Sequence, residues 1–144
     1  MPTPVVSEAT TIWEGQLLTG HGTVSLDSSD AAAFPVTWAA RSNGSTEITT
    51  PEELLAASHS SCFSMAFSHA LAEAGFTAES IQATAAVTFE AGVGVRSSAL
   101  RVEARVPGLS EDEFQRTALA AKEGCPISQA MAGITISIEA ILLT

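Results

Sequence analysis

The stretch from Thr50 to Gly75 constrains this chain more than any other. Thr50-Pro51-Glu52-Glu53 sets a threonine cap before a proline at the first helical position, with a glutamate at the third that can reach back to the cap. Every residue from there to Ala74 tolerates a helix, and Gly75 suits the left-handed position that ends one. The reading is a helix of about 24 residues, roughly 36 Å long if unbroken. Ala, Leu, Met and Phe lie on nearly every side of it, so it is expected to be buried all round.

Around it the pattern has a period of two. Thr10-Thr11-Ile12-Trp13-Glu14, Thr23-Val24-Ser25-Leu26 and Phe34-Pro35-Val36-Thr37-Trp38 read as three strands of an antiparallel meander, the first two joined by a turn at Gly20-His21-Gly22. Ser42-Asn43-Gly44-Ser45 reads as a loop. Beyond the long helix, Val87–Phe89 and Leu100–Val106 read as two more strands. In the second of these Leu100, Val102, Ala104 and Val106 alternate with Arg101, Glu103 and Arg105, so one face is wet. Ser110-Glu111-Asp112-Glu113 is a second capping box, opening a shorter helix to about Glu123 that Gly124 closes. Cys125-Pro126 begins a new turn, and Ile134–Ile141 is a last alternating strand. Strands in runs, rather than one for one with helices, indicate an α+β fold.

The chain has 144 residues, within the range of a single domain able to bury a core without disulfides or metals. A formal charge of −10, with only six Lys and Arg, repels phosphate backbones and anionic membranes, so neither nucleic acid nor membrane is an expected partner. Met1–Val6 shows neither the charge nor the apolar stretch of a secretory signal, and the expectation is a cytoplasmic protein. Two cysteines are present, Cys62 and Cys125, without C-x-x-C or zinc-site spacing. In a reducing compartment a permanent disulfide between them is not expected, and any pairing is transient and chemical.

Each candidate residue has a mundane reading beside a chemical one. Cys62 can be a small buried hydrophobe of the helix, yet Ser58, His59, Ser60, Ser61 and Ser64 make its surroundings unusually polar. Cys125 can be a turn residue, or a thiol whose anion is favoured at a helix start. Arg41 can be a surface charge, and Glu52 a carboxylate placed for the helix dipole. His59 and His69 stand ten positions apart, not at a metal-pair spacing, and read as packing or polar core residues. Phe63, Met65 and Phe67 can pack the core or line an apolar pocket.

Thr50-Pro51-Glu52-Glu53-Leu54-Leu55-Ala56-Ala57-Ser58-His59-Ser60-Ser61-Cys62-Phe63-Ser64-Met65-Ala66 resembles one signature of the osmotically inducible protein C and organic hydroperoxide resistance family. Lys122-Glu123-Gly124-Cys125-Pro126-Ile127-Ser128-Gln129 resembles the other, and weaker similarity covers nearly the whole chain. The resemblance implies one family domain over residues 1–144, antiparallel sheets packed on a long central helix, and an intertwined homodimer with two active sites at its interface. It implies that Cys62 is the peroxidatic cysteine and Cys125 the resolving one, with an arginine and a glutamate organising the thiolate. The glutamate maps to Glu52. No arginine precedes Arg41, and Arg41, at the end of the third strand, resembles the arginine of the osmotically inducible branch.

The expected activity is therefore reduction of organic hydroperoxides through a Cys62 sulfenic acid that Cys125 resolves as an internal disulfide, with no metal or flavin. The resemblance suggests a lipoyl-type dithiol as reductant. So acidic a chain disfavours another anion, which makes Arg41 the expected cation for the thiolate. About 15 Å of straight helix separates Glu52 from Cys62; either the helix breaks between them or Glu52 serves the site from a partner subunit. Two rivals stand beside this reading: a non-catalytic binding domain whose cysteines merely pack, and a stress-inducible redox sensor.

Overall fold

The computed structural model describes residues 2–144. The chain divides into two compact units, Met1–Pro51 and Glu52–Thr144.

The first unit carries the expected antiparallel meander, β1 (Ala9–Glu14), β2 (His21–Leu26) and β3 (Ala33–Val36). The turn between β1 and β2 comes earlier than Gly20-His21-Gly22. It spans residues 15–20 and is closed by the Gly20 N–H on the Gln16 carbonyl at 2.7 Å. His21 and Gly22 already belong to β2, and Gly22 pairs with Trp13 and Val36. A Cβ on Gly22 would stand 2.8 Å from the Trp13 ring, so this glycine lets the indole lie across the sheet.

β3 ends at Val36 rather than Trp38. Thr37 is extended, and its hydroxyl accepts the Ala40 N–H at 3.1 Å, capping a short helix, α1 (Trp38–Asn43). Arg41 therefore lies in the last turn of a helix, not at the end of a strand. The apolar alternation of Phe34–Trp38 suggested a longer strand, but the threonine cap overrides it. Ser42 and Asn43, expected in a loop, complete this helix before Gly44 turns the chain at φ 84°.

The second unit opens with α2 (Pro51–Glu73), continuous over its 23 residues. Gly75 has φ 90°, the Phe76 N–H reaches the Leu71 carbonyl at 2.9 Å, and the Gly75 N–H reaches Ala72 at 3.0 Å. These bonds satisfy carbonyls that the helix end would otherwise orphan. The expectation of burial all round fails. Glu52, His59, Phe63, Phe67 and Leu71 form one buried stripe, whereas Met65 is 72% exposed and His69, paired with Glu73, lies on the surface. One sheet covers one face of a helix, and the small Ala and Ser residues that dominate the other faces tolerate water.

That sheet is β4 (Ser80–Glu90), β5 (Gly94–Arg105) and β6 (Thr135–Leu143), the first two longer than the sequence suggested. β4 and β5 are antiparallel, but β6 runs parallel to β5, a departure from purely antiparallel sheets. Parallel strands need a long crossover, supplied here by α3 (Glu111–Gly124) and α4 (Pro126–Ala130). Along β5, Ser98, Leu100, Val102 and Ala104 point into the core. Leu100, Val102 and Ala104 meet Phe63, Phe67 and Leu71 of α2 and Phe114, Ala118 and Ala121 of α3. The Phe67 ring centroid lies 5.6 Å from that of Phe63, stacked, and 5.6 Å from that of Phe114, edge-on. Burying each of these side chains is worth about 1.5–3 kcal/mol, which pins α2 and α3 together over the sheet.

Ser110 caps α3 as expected, accepting the Glu113 N–H at 3.3 Å. Its far end differs. Gly124 is the last helical residue rather than a left-handed terminator, and the chain leaves the helix at Cys125, extended at φ −64° and ψ 121°. The cause is Pro126, whose ring disfavours helical backbone in the residue before it and starts α4 at its own first position. No helix among the described residues is long and apolar enough to cross a membrane.

Candidate active site

Cys62 projects from the middle of α2, and Cys125 occupies the junction of α3 and α4, so the second unit brings together two thiols 63 positions apart in sequence. Their sulfurs are hydrogen-bonded to each other and both cysteines are free. Cys125 is wholly buried and Cys62 is half-buried. Only Cys62 therefore has a face that a solute can reach.

Their surroundings push them apart in acidity. Burial raises the Cys62 thiol above its ordinary range, only partly opposed by the Ile127 N–H, and the neighbouring Cys125 adds to the rise. Burial also works against the Cys125 thiolate and is the largest single influence on it. It is outweighed by the Ser128 N–H, the Cys62 thiol, the Ser128 hydroxyl and the Ile127 N–H, which together hold Cys125 below its ordinary value. Of the two thiols, Cys125 is thus the one whose surroundings favour the thiolate and Cys62 the one whose surroundings disfavour it. The groups that favour the Cys125 thiolate are neutral donors.

His59, one turn before Cys62, has no solvent exposure. Its Nδ1 lies 2.6 Å from Ser98 Oγ on β5 and its Nε2 lies 2.8 Å from Ser128 Oγ on α4. Burial lowers its pKa from the ordinary 6.5, so the ring is neutral near pH 7. The polar character of the segment around Cys62 has two origins. Ser60, Ser61 and Ser64 bond to carbonyls of their own helix at 2.8–3.3 Å, and His59 turns inward. Ser98 and Ser128 escaped the sequence reading, because nothing in a lone serine on a strand or at a helix start marks it as the partner of a distant imidazole.

The other expected site residues stand as follows. Glu52 is buried in the first turn of α2. Because the helix runs unbroken from Pro51 to Glu73, the ten residues between Glu52 and Cys62 keep their backbones about 15 Å apart, and the possibility of a break is closed. Arg41 belongs to the first unit, in α1. Phe63 and Phe67 are core residues, whereas Met65 points outward. A groove of about 610 Å³ lined by Arg105, Pro107 and Leu143 contains neither cysteine and is no part of this site.

An α+β unit that holds two free thiols in contact, one reachable and one shielded, defines a protein equipped for thiol redox chemistry. Its family follows from comparison. The family model described as OsmC-like protein matches residues 43–139, and the chain belongs to the OsmC family. A protein named peroxiredoxin OsmC from Escherichia coli (strain K12) is 42% identical over 131 residues, covering 88% of this chain and 91% of the relative. The protein of the same name from Shigella flexneri matches equally well. Among solved structures, the OsmC-like protein of Mycoplasma pneumoniae superposes with a TM-score of 0.75 over 99% of this chain and 100% of its own; at 15% identity it speaks for the fold alone. An organic hydroperoxide resistance protein from Elizabethkingia anophelis superposes with a TM-score of 0.69 at 27% identity, over 99% of this chain and 98% of its own.

Proposed function

We propose that this protein reduces organic hydroperoxides to alcohols, with Cys62 as the attacking thiol and Cys125 as the resolving one. Membership of the OsmC family, through relatives named peroxiredoxins, makes it a cysteine-based peroxidase. The observation that carries the finer reading is the contact between an accessible Cys62 and a buried Cys125. In the proposed cycle the Cys62 proton passes to Cys125 across their hydrogen bond. The Cys62 thiolate then attacks a peroxide oxygen, and an S–O bond forms as the O–O bond breaks. The alkoxide leaves and takes the proton now held by Cys125, becoming the alcohol and restoring the Cys125 thiolate, while the Cys62 sulfur, oxidised by two electrons, becomes a sulfenic acid. The Cys125 thiolate attacks that sulfur, hydroxide leaves as water after protonation, and a disulfide remains. A dithiol of the lipoyl type, in the cytoplasm, reopens it by exchange and is itself oxidised to a disulfide.

In this reading Arg41 is the cation that makes the Cys62 thiolate accessible and donates hydrogen bonds to the departing alkoxide. Glu52 orients that guanidinium from the partner subunit of a homodimer, a placement supported by the unbroken α2. A second copy is also favoured by apolar side chains left in water by a single chain. Every residue of β1 is exposed, Ile12 at 66%, and Met65 stands out from α2.

The test is a titration of the reduced protein with one equivalent of cumene hydroperoxide, followed by turnover with excess dithiol. Loss of both thiols to one internal disulfide, with repeated turnover, is the expected result. Unreactive thiols would leave a packing role, and a single oxidation without turnover would leave a sensor.

A further inference from the structure

The mechanism above leaves His59 unused, although an imidazole with no solvent exposure must be held there by specific partners. Those partners lie on two other elements. Ser98 Oγ on β5 stands 2.6 Å from Nδ1, and Ser128 Oγ on α4 stands 2.8 Å from Nε2. The Ser128 hydroxyl in turn bonds to Cys125, whose sulfur is in contact with Cys62. The result is one buried file of polar atoms from the sheet to the thiols, spanning Ser98, His59, Ser128, Cys125 and Cys62.

The donor inventory fixes its direction. Ser128 has one hydroxyl proton, and a thiolate can only accept. When Cys125 is ionised, Ser128 donates to it and must itself receive a proton from the His59 Nε2–H. Nδ1 is then bare and accepts from the Ser98 hydroxyl. Each link points its positive end toward Cys125, and such chains strengthen when aligned.

We propose that His59 is a positioning residue which, in its Nε2–H tautomer, fixes the Ser128 hydroxyl as a donor to Cys125 and so favours the thiolate of the resolving cysteine and aims it at Cys62. The role rests on Cys125 being the resolving cysteine, but the arrangement itself concerns only ground-state acidity. A Cys125 whose thiolate is favoured gives up its proton readily and attacks the Cys62 sulfenic acid, and it is a good leaving group when a dithiol reopens the bond. The groups that interact with the Cys125 sulfur are Cys62 from α2 and the Ser128 hydroxyl and the amides of Ile127 and Ser128 from α4; none is a charged side chain. His59 is the one other titratable group in the file.

The experiment measures the pKa of Cys125 by thiolate absorbance in full-length protein carrying Cys62→Ser, where no peroxide chemistry is possible. Adding Ser128→Ala is expected to raise it by about one unit, a tenfold loss of thiolate at a fixed pH below it. Adding Ser98→Ala to Cys62→Ser instead is expected to raise it by less, because that serine acts at the far end. Nitrogen NMR of the reduced wild-type protein is expected to show His59 protonated at Nε2 and bare at Nδ1. An unchanged pKa with Ser128→Ala, or a ring protonated at Nδ1, would overturn the proposal. These are small truncations and a wild-type spectrum, so the outcome does not depend on a His59 variant folding. Peroxidase turnover can fail with this file intact, or persist with it refuted, so the two readings are tested separately.

Discussion

Cys62 and Cys125 reach the same contact from opposite kinds of backbone. In the middle of α2 every N–H is committed to a carbonyl four residues back, and Cys62 must draw its support from another element, the Ile127 N–H of α4. At the start of α4 the first N–H groups have no partner within the helix, and Cys125 lies where those of Ile127 and Ser128 converge. The mid-helix thiol is reachable and made less acidic; the helix-start thiol is sealed and made more acidic. The difference teaches that acidity and access have been separated between two sulfurs; in the proposed cycle a proton moving between them joins the two properties at the moment of attack.

The largest expected effect comes from exchanging the partners. Cys62→Ser should abolish peroxide consumption, whereas Cys125→Ser should permit one oxidation and then stall, as read by peroxide loss against added enzyme. Normal turnover by Cys62→Ser would reverse the assignment of the two sulfurs. Next, the scaffolds should differ. Phe67→Ala, beneath the Cys62 stretch of α2, removes a ring held between Phe63 and Phe114 and should cost about 3–5 kcal/mol in urea unfolding. Ser128→Ala, beside Cys125, should change thiol acidity with far less loss of stability.

Smaller effects lie in the titrations. Thiolate absorbance of the two single-cysteine proteins should place Cys125 at the lower pKa and Cys62 at the higher. Arg41→Ala should raise the Cys62 value further and slow the first oxidation, and an unchanged pH profile would remove Arg41 from the site. The smallest effect concerns His59. Its folded pKa is depressed, so the unfolded chain binds more protons in acid, and the stability this group contributes is present in full above its ordinary 6.5 and is lost as pH falls from there toward the folded value. Thermal midpoints should therefore drop below about pH 6.5, more so in wild type than in His59→Gln.

The sequence by itself determined the local events. Thr50-Pro51 and Gly75 bounded α2, Ser110 capped α3, and the alternation at Leu100–Val106 named the wet and dry faces of β5, because caps, glycine conformations and strand periodicity act over a few residues. The two family signatures singled out Cys62 and Cys125 in the same way. The Thr37 cap that put Arg41 in a helix and the Pro126 that ended α3 are local signals that strand alternation and Gly124 masked. Tertiary structure decided what depends on distant partners. The sheet covered one stripe of α2 and left Met65 in water, and β6 paired parallel to β5. The acidity of the two thiols belongs to the same class. A cysteine's pKa is set by which N–H groups and hydroxyls surround it and how much water is excluded, and Ser98, His59, Ser128, Cys125 and Cys62 become neighbours only when β5, α2 and α4 pack.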